Sequence, residues 1–424
     1  MFANEVADPG VTTEPSRSLI ELQHRELRPI VLHARDFSVS DRPRTRDALY
    51  VSALYLWMFS SFGLFGPFAA EFLRQAGLAP ASVPLFFAAT RLVRVLSAPT
   101  WTAFVDRRSS ARDVLLWTSV PTAAFFTWMA LVPAGWTWLI AYLAFIVLRG
   151  PAVSLCDVLA LDAASREDTT YGKIRLWGTV GYCGGAFAAG ALHQVHAGRA
   201  VLLLSLLATV LAGVSVFKLP AVSGPKSTSY LKDVGALLRK PRYVALLGCA
   251  ALHQLGLGTY DMLYAPWAAA RTSGTVAGLS IAVGGVAEVA FMLFGAGLLR
   301  KLGAHRALAL AFTASALRWA LLGRWTSPAA IVGLQLFHAL TFGCFYLAAV
   351  QTVERESPVT IRASAQGFFA TSTFGIAAAL GLAVASPLQR AGGLTLVFDA
   401  AAACALVAAV IAWFALKPSV ERAQ

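Results

Sequence analysis

Charge is what this sequence has least of. Asp, Glu, Lys and Arg supply only 13% of its 424 residues, about half the share of a soluble domain, and that shortfall excludes an ordinary water-soluble globule. Catalytic signatures are missing too. There is no H-E-x-x-H, G-x-S-x-G or Walker sequence, so hydrolysis and ATP-driven pumping lack their usual chemistry and no catalytic residue is assigned. Cysteine is scarce: Cys156, Cys183, Cys249, Cys344 and Cys404 all fall inside or at the ends of apolar runs, none as C-x-x-C, and read as small apolar filler. His193 and His196 have a helical metal-ligand spacing but no third ligand nearby, so no metal is expected. Residues 1–47 contain no apolar core of a cleavable signal peptide and read as a cytoplasmic tail.

What is abundant is apolar length. Hydrophobic residues make up 57% of the chain, gathered into twelve runs of about 20 residues, the length that crosses a hydrocarbon core. The expectation is an all-α membrane protein with twelve transmembrane helices. A charged stretch over 218–242 divides them, giving an N-terminal six-helix domain (48–217), a cytoplasmic linker (218–242), a C-terminal six-helix domain (243–416) and a short cytoplasmic tail (417–424). The 35 Lys and Arg residues then sort by side: Arg74, Arg199, Arg271, Arg324 and Arg390 fall one to each of five external loops, four lie in spans, and the rest are cytoplasmic. This bias puts both termini inside and accounts for the net charge of +13 without nucleic acid as a partner. The halves also align internally. APTWTAFVDRRSSAR matches MLFGAGLLRKLGAHR, and SREDTTYGKIRLWG matches ESPVTIRASAQG more weakly, the pattern of two pseudo-symmetric domains.

Ionisable groups inside spans are costly and mark candidate sites. Arg91 and Arg94, three apart on one helical face, suit an anion, and Arg149 is a third mid-span cation. Under the internal alignment Arg94 corresponds to Glu288 and Arg149 to His338. Glu288 stands in GGVAEVAFMLFG, with Gly284 and Gly295 on its own face. A glutamate that moves between apolar and cationic surroundings can take and release a proton; the structural alternative is an ion pair with Arg318. Tyr260 and Asp261, toward the external end of the seventh span, are candidate substrate contacts or members of an interfacial belt. Asp157 is expected to neutralise Arg149 or Arg175.

Several stretches resemble a known family. The VDRR segment at 105–108 is similar to the loop motif of the major facilitator superfamily, although Thr102 and Ser109 stand where that motif has glycine. YGKIRLWGTVGY, GGVAEVAF, LRWALL, FHALTFGCFYLAAVQ and SAQGFF resemble its lactose-permease-like branch, which includes phenylpropionate permeases and nucleoside and proton symporters. The resemblance implies the major facilitator fold, a bacterial inner-membrane location and transport of a small molecule by alternating access, with the proton gradient as energy source and no cofactor. It assigns proton coupling to Glu288, Arg318 and His338, and a cytoplasmic gate to Asp106 and Arg107. Thr341 stands where lactose permease has a second glutamate, which shifts the proton onto Glu288. Arg91, Arg94 and Arg149 favour an anionic substrate such as a carboxylate, with Tyr260 and Asp261 beside it. The expected partners are that solute and the lipid bilayer, around a monomer. A proton-driven exporter of a drug or secondary metabolite and a transporter-like receptor are the alternatives.

Overall fold

Polar residues start the helices that apolar runs sustain. The hydroxyls of Ser110, Thr170, Ser273 and Ser327 accept from the backbone N–H three residues on, satisfying donors that the first helical turn leaves free. The computed structural model describes residues 46–108, 110–167, 169–222, 230–325, 327–358 and 361–417, with the side chains of 98–100, 102–108, 230–233, 363 and 364 excepted. The helices run in order α1 (Asp47–Phe65), α2 (Ala69–Gln75), α3 (Val83–Arg108), α4 (Ala111–Leu131), α5 (Trp136–Arg149), α6 (Ala152–Arg166), α7 (Tyr171–Gln194) and α8 (Gly198–Phe217). After 229 come α9 (Tyr230–Leu237), α10 (Pro241–Arg271), α11 (Gly274–Phe294), α12 (Ala296–Leu302), α13 (Ala304–Leu322), α14 (Pro328–Gly333), α15 (Phe345–Glu356), α16 (Arg362–Ala370) and α17 (Ala378–Ala415). The tail expected at 1–47 and the middle of the expected linker lie largely outside the described residues.

Among the described residues, seven helical stretches are long and apolar enough to cross a membrane: 47–65, 111–131, 136–166, 198–217, 274–294, 328–356 and 365–415. Their exposed positions carry large apolar side chains, Val120, Phe294 and Phe414 among them, the surface a lipid environment accommodates. The protein is a multi-pass integral membrane protein.

Buried side chains fall into three clusters. One draws only on residues between Val51 and Val222 and a second only on residues between Leu237 and Leu416. The third combines both segments, Phe65, Phe72 and Trp138 with Trp267, Trp319 and Phe398. Segment meets segment most closely where α7 crosses α11. A Cβ added to Gly278 would lie 2.6 Å from the carbonyl oxygen of Ala186, so only glycine permits this backbone-to-backbone approach. Gly274 N donates to Gln194 Oε1 at 2.9 Å in the same seam, and Ser386 Oγ donates to Ala81 O at 2.7 Å beside it. We call this the Gln194 end of the bundle. Toward the opposite end, where Arg166 pairs with Asp47 (3.1 Å) and with Asp162, no hydrogen bond joins the two segments among the described residues.

Two helices depart from regular geometry. Between α14 and α15 the chain tightens to a 3₁₀ turn (Leu334–Phe337) and then widens to a π-helical one (Ala339–Cys344). Thr371–Ala377, between α16 and α17, is also π-helical. Within α17, Gly392 and Gly393 break the helix, Gly393 at φ 67°, a conformation open to glycine at little cost.

Candidate functional site

The 3₁₀-to-π transition brackets His338 and decides what that residue can reach. A π turn displaces carbonyls from their regular partners, and such turns recur at functional sites. Here the Thr341 carbonyl is taken up by His253 Nε2 at 2.9 Å, a buried ring wedged between Phe312 and Phe345. Thr341 Oγ1 is thereby held toward α13, where it accepts from Arg318 Nη1 at 2.8 Å.

Arg318 is fully buried, with no carboxylate on its guanidinium among the described residues. Nη2 donates to Gln335 Oε1 at 2.5 Å, and Nη1 also bonds His338 Nδ1 at 3.1 Å. The rings of Tyr260 and Trp319 lie 4.5 and 4.7 Å from its charge. Because guanidinium is only a donor, His338 Nδ1 accepts and its Nε2 carries the hydrogen toward Glu288 Oε2, 3.4 Å away. The neutral imidazole satisfies both contacts. The ion pair between Glu288 and Arg318 weighed from sequence does not form; His338 stands between the two. Gln335 Nε2 extends the network to the Tyr264 hydroxyl at 2.8 Å, and that hydroxyl meets Ser280 Oγ at 2.8 Å. Thus α10, α11, α13 and the chain around His338 all contribute to one network.

On the N-terminal segment's side of the Arg91 to Asp261 contact, the charges are cationic. Arg91 Nη2 reaches Asp261 Oδ2 at 3.4 Å. Arg94, on the same face of α3, has no carboxylate partner among the described residues; its ionisable neighbours are Arg91 and Tyr142. Arg149 turns into the N-terminal segment, donating to Met58 O (3.0 Å) and Ser61 Oγ (3.3 Å) with its charge 3.8 Å above the Phe62 ring. A cavity of about 40 Å³ opens beside it, lined by Thr118, Thr122 and Thr209. The Tyr142 hydroxyl lies within electrostatic reach of all three arginines.

Sequence reasoning placed Asp261 toward the end of a span closing near 267, whereas α10 runs on to Arg271 and Asp261 faces Arg91 between the segments. Tyr260 is buried, under Arg318 and 5.6 Å from the His338 ring. Asp106 and Arg107 close α3, and their side chains lie outside the described residues.

A second polar cluster escaped sequence reasoning as a unit. Asp157 accepts from the Tyr55 hydroxyl, from the Tyr171 hydroxyl at 2.9 Å and from Arg175 Nη1 at 3.4 Å, so its expected partner is Arg175, not Arg149. Tyr171 and Arg175 belong to the YGKIRLWG stretch, the signal that could have drawn attention to it. Facing it is a ladder of rings along one face of the His338 turn. His338 and Phe342 stack 5.6 Å apart at 11°, and Phe342 and Tyr346 stack 5.9 Å apart at 2°. Tyr346, at the far end of the ladder, lies within electrostatic reach of Arg175 and Asp157.

The geometry can hold an anion against arginine, stack a flat group on rings, and move a proton over one carboxylate and one imidazole. The model of the MFS_1 like family matches residues 48–399. A protein named "Probable 3-phenylpropionic acid transporter" from Escherichia coli (strain K12) is 27% identical over 330 residues, 73% of this chain and 83% of its own. The maltose permease of Geobacillus stearothermophilus is 26% identical over 269 residues, 62% of this chain and 68% of its own. Among solved structures, the nucleoside transporter NupG superposes with a TM-score of 0.75 at 18% identity, covering 87% of this chain and 98% of its own, a likeness of fold.

Proposed function

The chain belongs to the MFS_1 like family of secondary transporters, and from that premise we propose that it is a proton-coupled symporter importing a small organic acid across a bacterial inner membrane. Two six-helix domains, residues 48–217 and 243–416 joined by a cytoplasmic linker, would rock about a midplane site in a monomer with both termini cytoplasmic. The seam at the Gln194 end then corresponds to a closed external side.

The observation that carries this reading is the imbalance of charge across the gap. Arg91 meets one carboxylate, Asp261, while Arg94 and Arg149 have none among the described residues, and a mid-membrane cation without a partner is costly unless a ligand supplies the counter-charge. Coupling is assigned to Glu288. Ionised, it accepts from His338 Nε2–H while Nδ1 stays on Arg318; protonated, it holds a hydrogen of its own, which Nε2–H cannot accept, and its grip on His338 loosens. The relay therefore has two arrangements that differ by one proton, as coupled transport requires. Asp106 and Arg107 brace the cytoplasmic gate. A relative named for 3-phenylpropionic acid supports a carboxylate among the possible solutes.

Reconstituted vesicles test the reading. An imposed inward proton gradient should drive accumulation of a carboxylate by the unaltered protein. Glu288→Gln should lose accumulation and keep exchange of internal for external substrate, since exchange needs no net proton movement. Loss of exchange as well would assign Glu288 to binding or packing instead of coupling.

A further inference from the structure

We infer that Asp261 is a tethered stand-in for the substrate's carboxylate, and that an incoming carboxylate replaces it on Arg91 and so releases this ionic tie between the two segments. The inference rests on the organic-acid reading above and names the residue that makes the site selective.

Four observations converge. The Arg91 to Asp261 contact joins α3 to α10, and among the described residues it is the one salt bridge that links the two segments. It is also loose: its 3.4 Å separation exceeds the 2.7–2.9 Å typical of a charge-assisted hydrogen bond, and the Asp261 side chain is 47% exposed. One helical turn away, Arg94 offers a guanidinium with no carboxylate on it among the described residues, and positions three apart stand side by side on a helix. Finally, the charge acting most strongly on Asp261 is Arg91, followed by His338, Glu288 and Arg318, so the aspartate sits where substrate and coupling network meet.

A carboxylate approaching from the Arg166 end meets Arg94 first. Its second oxygen can then bridge to Arg91, which exchanges a long intramolecular contact for a bidentate intermolecular one. Asp261 is left facing His338, and the remaining ties near it are the Cys183 to Ala282 contact and the Gln194 and Ser386 bonds. A neutral solute of the same shape leaves Asp261 in place and the tie intact. Selectivity for anions and release of the latch are then one event.

Competition by a tethered group lowers apparent affinity in proportion to the fraction of protein in which the latch is closed. Asp261→Asn keeps the shape and removes the competing charge. For a partly exposed pair it should tighten carboxylate binding roughly three- to sixfold and leave the matching amides unchanged. Asp261→Glu, which retains the competing charge, should not reproduce the tightening. The experiment is titration of the purified full-length protein and both variants with a panel of aromatic and aliphatic monocarboxylates, each paired with its neutral amide. Tighter carboxylate binding in Asp261→Asn alone supports the inference, including the case in which binding becomes measurable only in that variant. Unchanged or weaker carboxylate binding, or equal tightening for the amides, overturns it and leaves the organic-acid reading standing. Binding of amides but of no carboxylate by any form overturns both.

Discussion

Replacing Arg94 by glutamine should weaken anion binding while leaving the empty protein at least as stable as before. Most site mutations are expected to cost stability; this one removes a charge that no carboxylate compensates among the described residues and whose neighbour, Arg91, repels it. An unpaired charge at the centre of a span costs about 2.5–3.5 kcal/mol on insertion scales, part of which water in the gap relieves. Recovering the remainder should raise the apparent melting temperature by about 1–3 °C. The bound complex loses a charge-assisted hydrogen bond, about 1.5–3 kcal/mol, which is roughly a tenfold to hundredfold increase in Kd. A neutral amide loses far less, because its contact with the guanidinium is not ionic. Calorimetric titration of a carboxylate and its amide against both proteins, with melting curves of the same samples, reads all three quantities. Equal weakening of carboxylate and amide, or unchanged carboxylate affinity, would refute the anion argument. A fall in melting temperature would show that Arg94 holds the helices together.

Two further outcomes follow from the geometry. Gln335→Ala strips Arg318 Nη2 of its acceptor and the Tyr264 hydroxyl of its donor; a buried arginine so exposed should cost about 1.5–3 kcal/mol, visible as a lower melting temperature with a steep loss of gradient-driven uptake. Phe342→Leu removes the central ring of the ladder, worth about 0.5–1.5 kcal/mol in stacking, and should weaken aromatic carboxylates roughly two- to tenfold against aliphatic ones in competition uptake.

Hydropathy read the membrane class and the positions of most helices because lipid imposes one simple demand, an apolar run of sufficient length. It could not read where helices bend. The π turns at Ala339–Cys344 and Thr371–Ala377 arise from tertiary contacts such as the His253 bond to Thr341 O, and no local residue pattern announces them. Cost likewise made Arg91, Arg94, Arg149, Glu288, Arg318 and His338 visible, since each is an anomaly in its own span. Partnership stayed hidden, because Arg91 and Asp261 are 170 residues apart. Gln335 and Ser280 were overlooked for a different reason: neutral polar groups are cheap enough in a span to pass unnoticed, although through the Tyr264 hydroxyl they belong to the network that holds the buried arginine.

The glycine seam between α7 and α11 has a mechanical meaning. Interlocked side chains act like gear teeth and permit motion only in whole steps. At Gly278 the α7 backbone rests on the neighbouring helix with no tooth between them, much as a shaft rests in a plain bearing. Such a contact offers little resistance to small rotations while keeping the axes at fixed separation. In the rocking motion proposed above, a fulcrum of this kind would set how finely the opening angle at the far end can be graded, so the solute's size, and not a detent in the hinge, would decide how far the halves part.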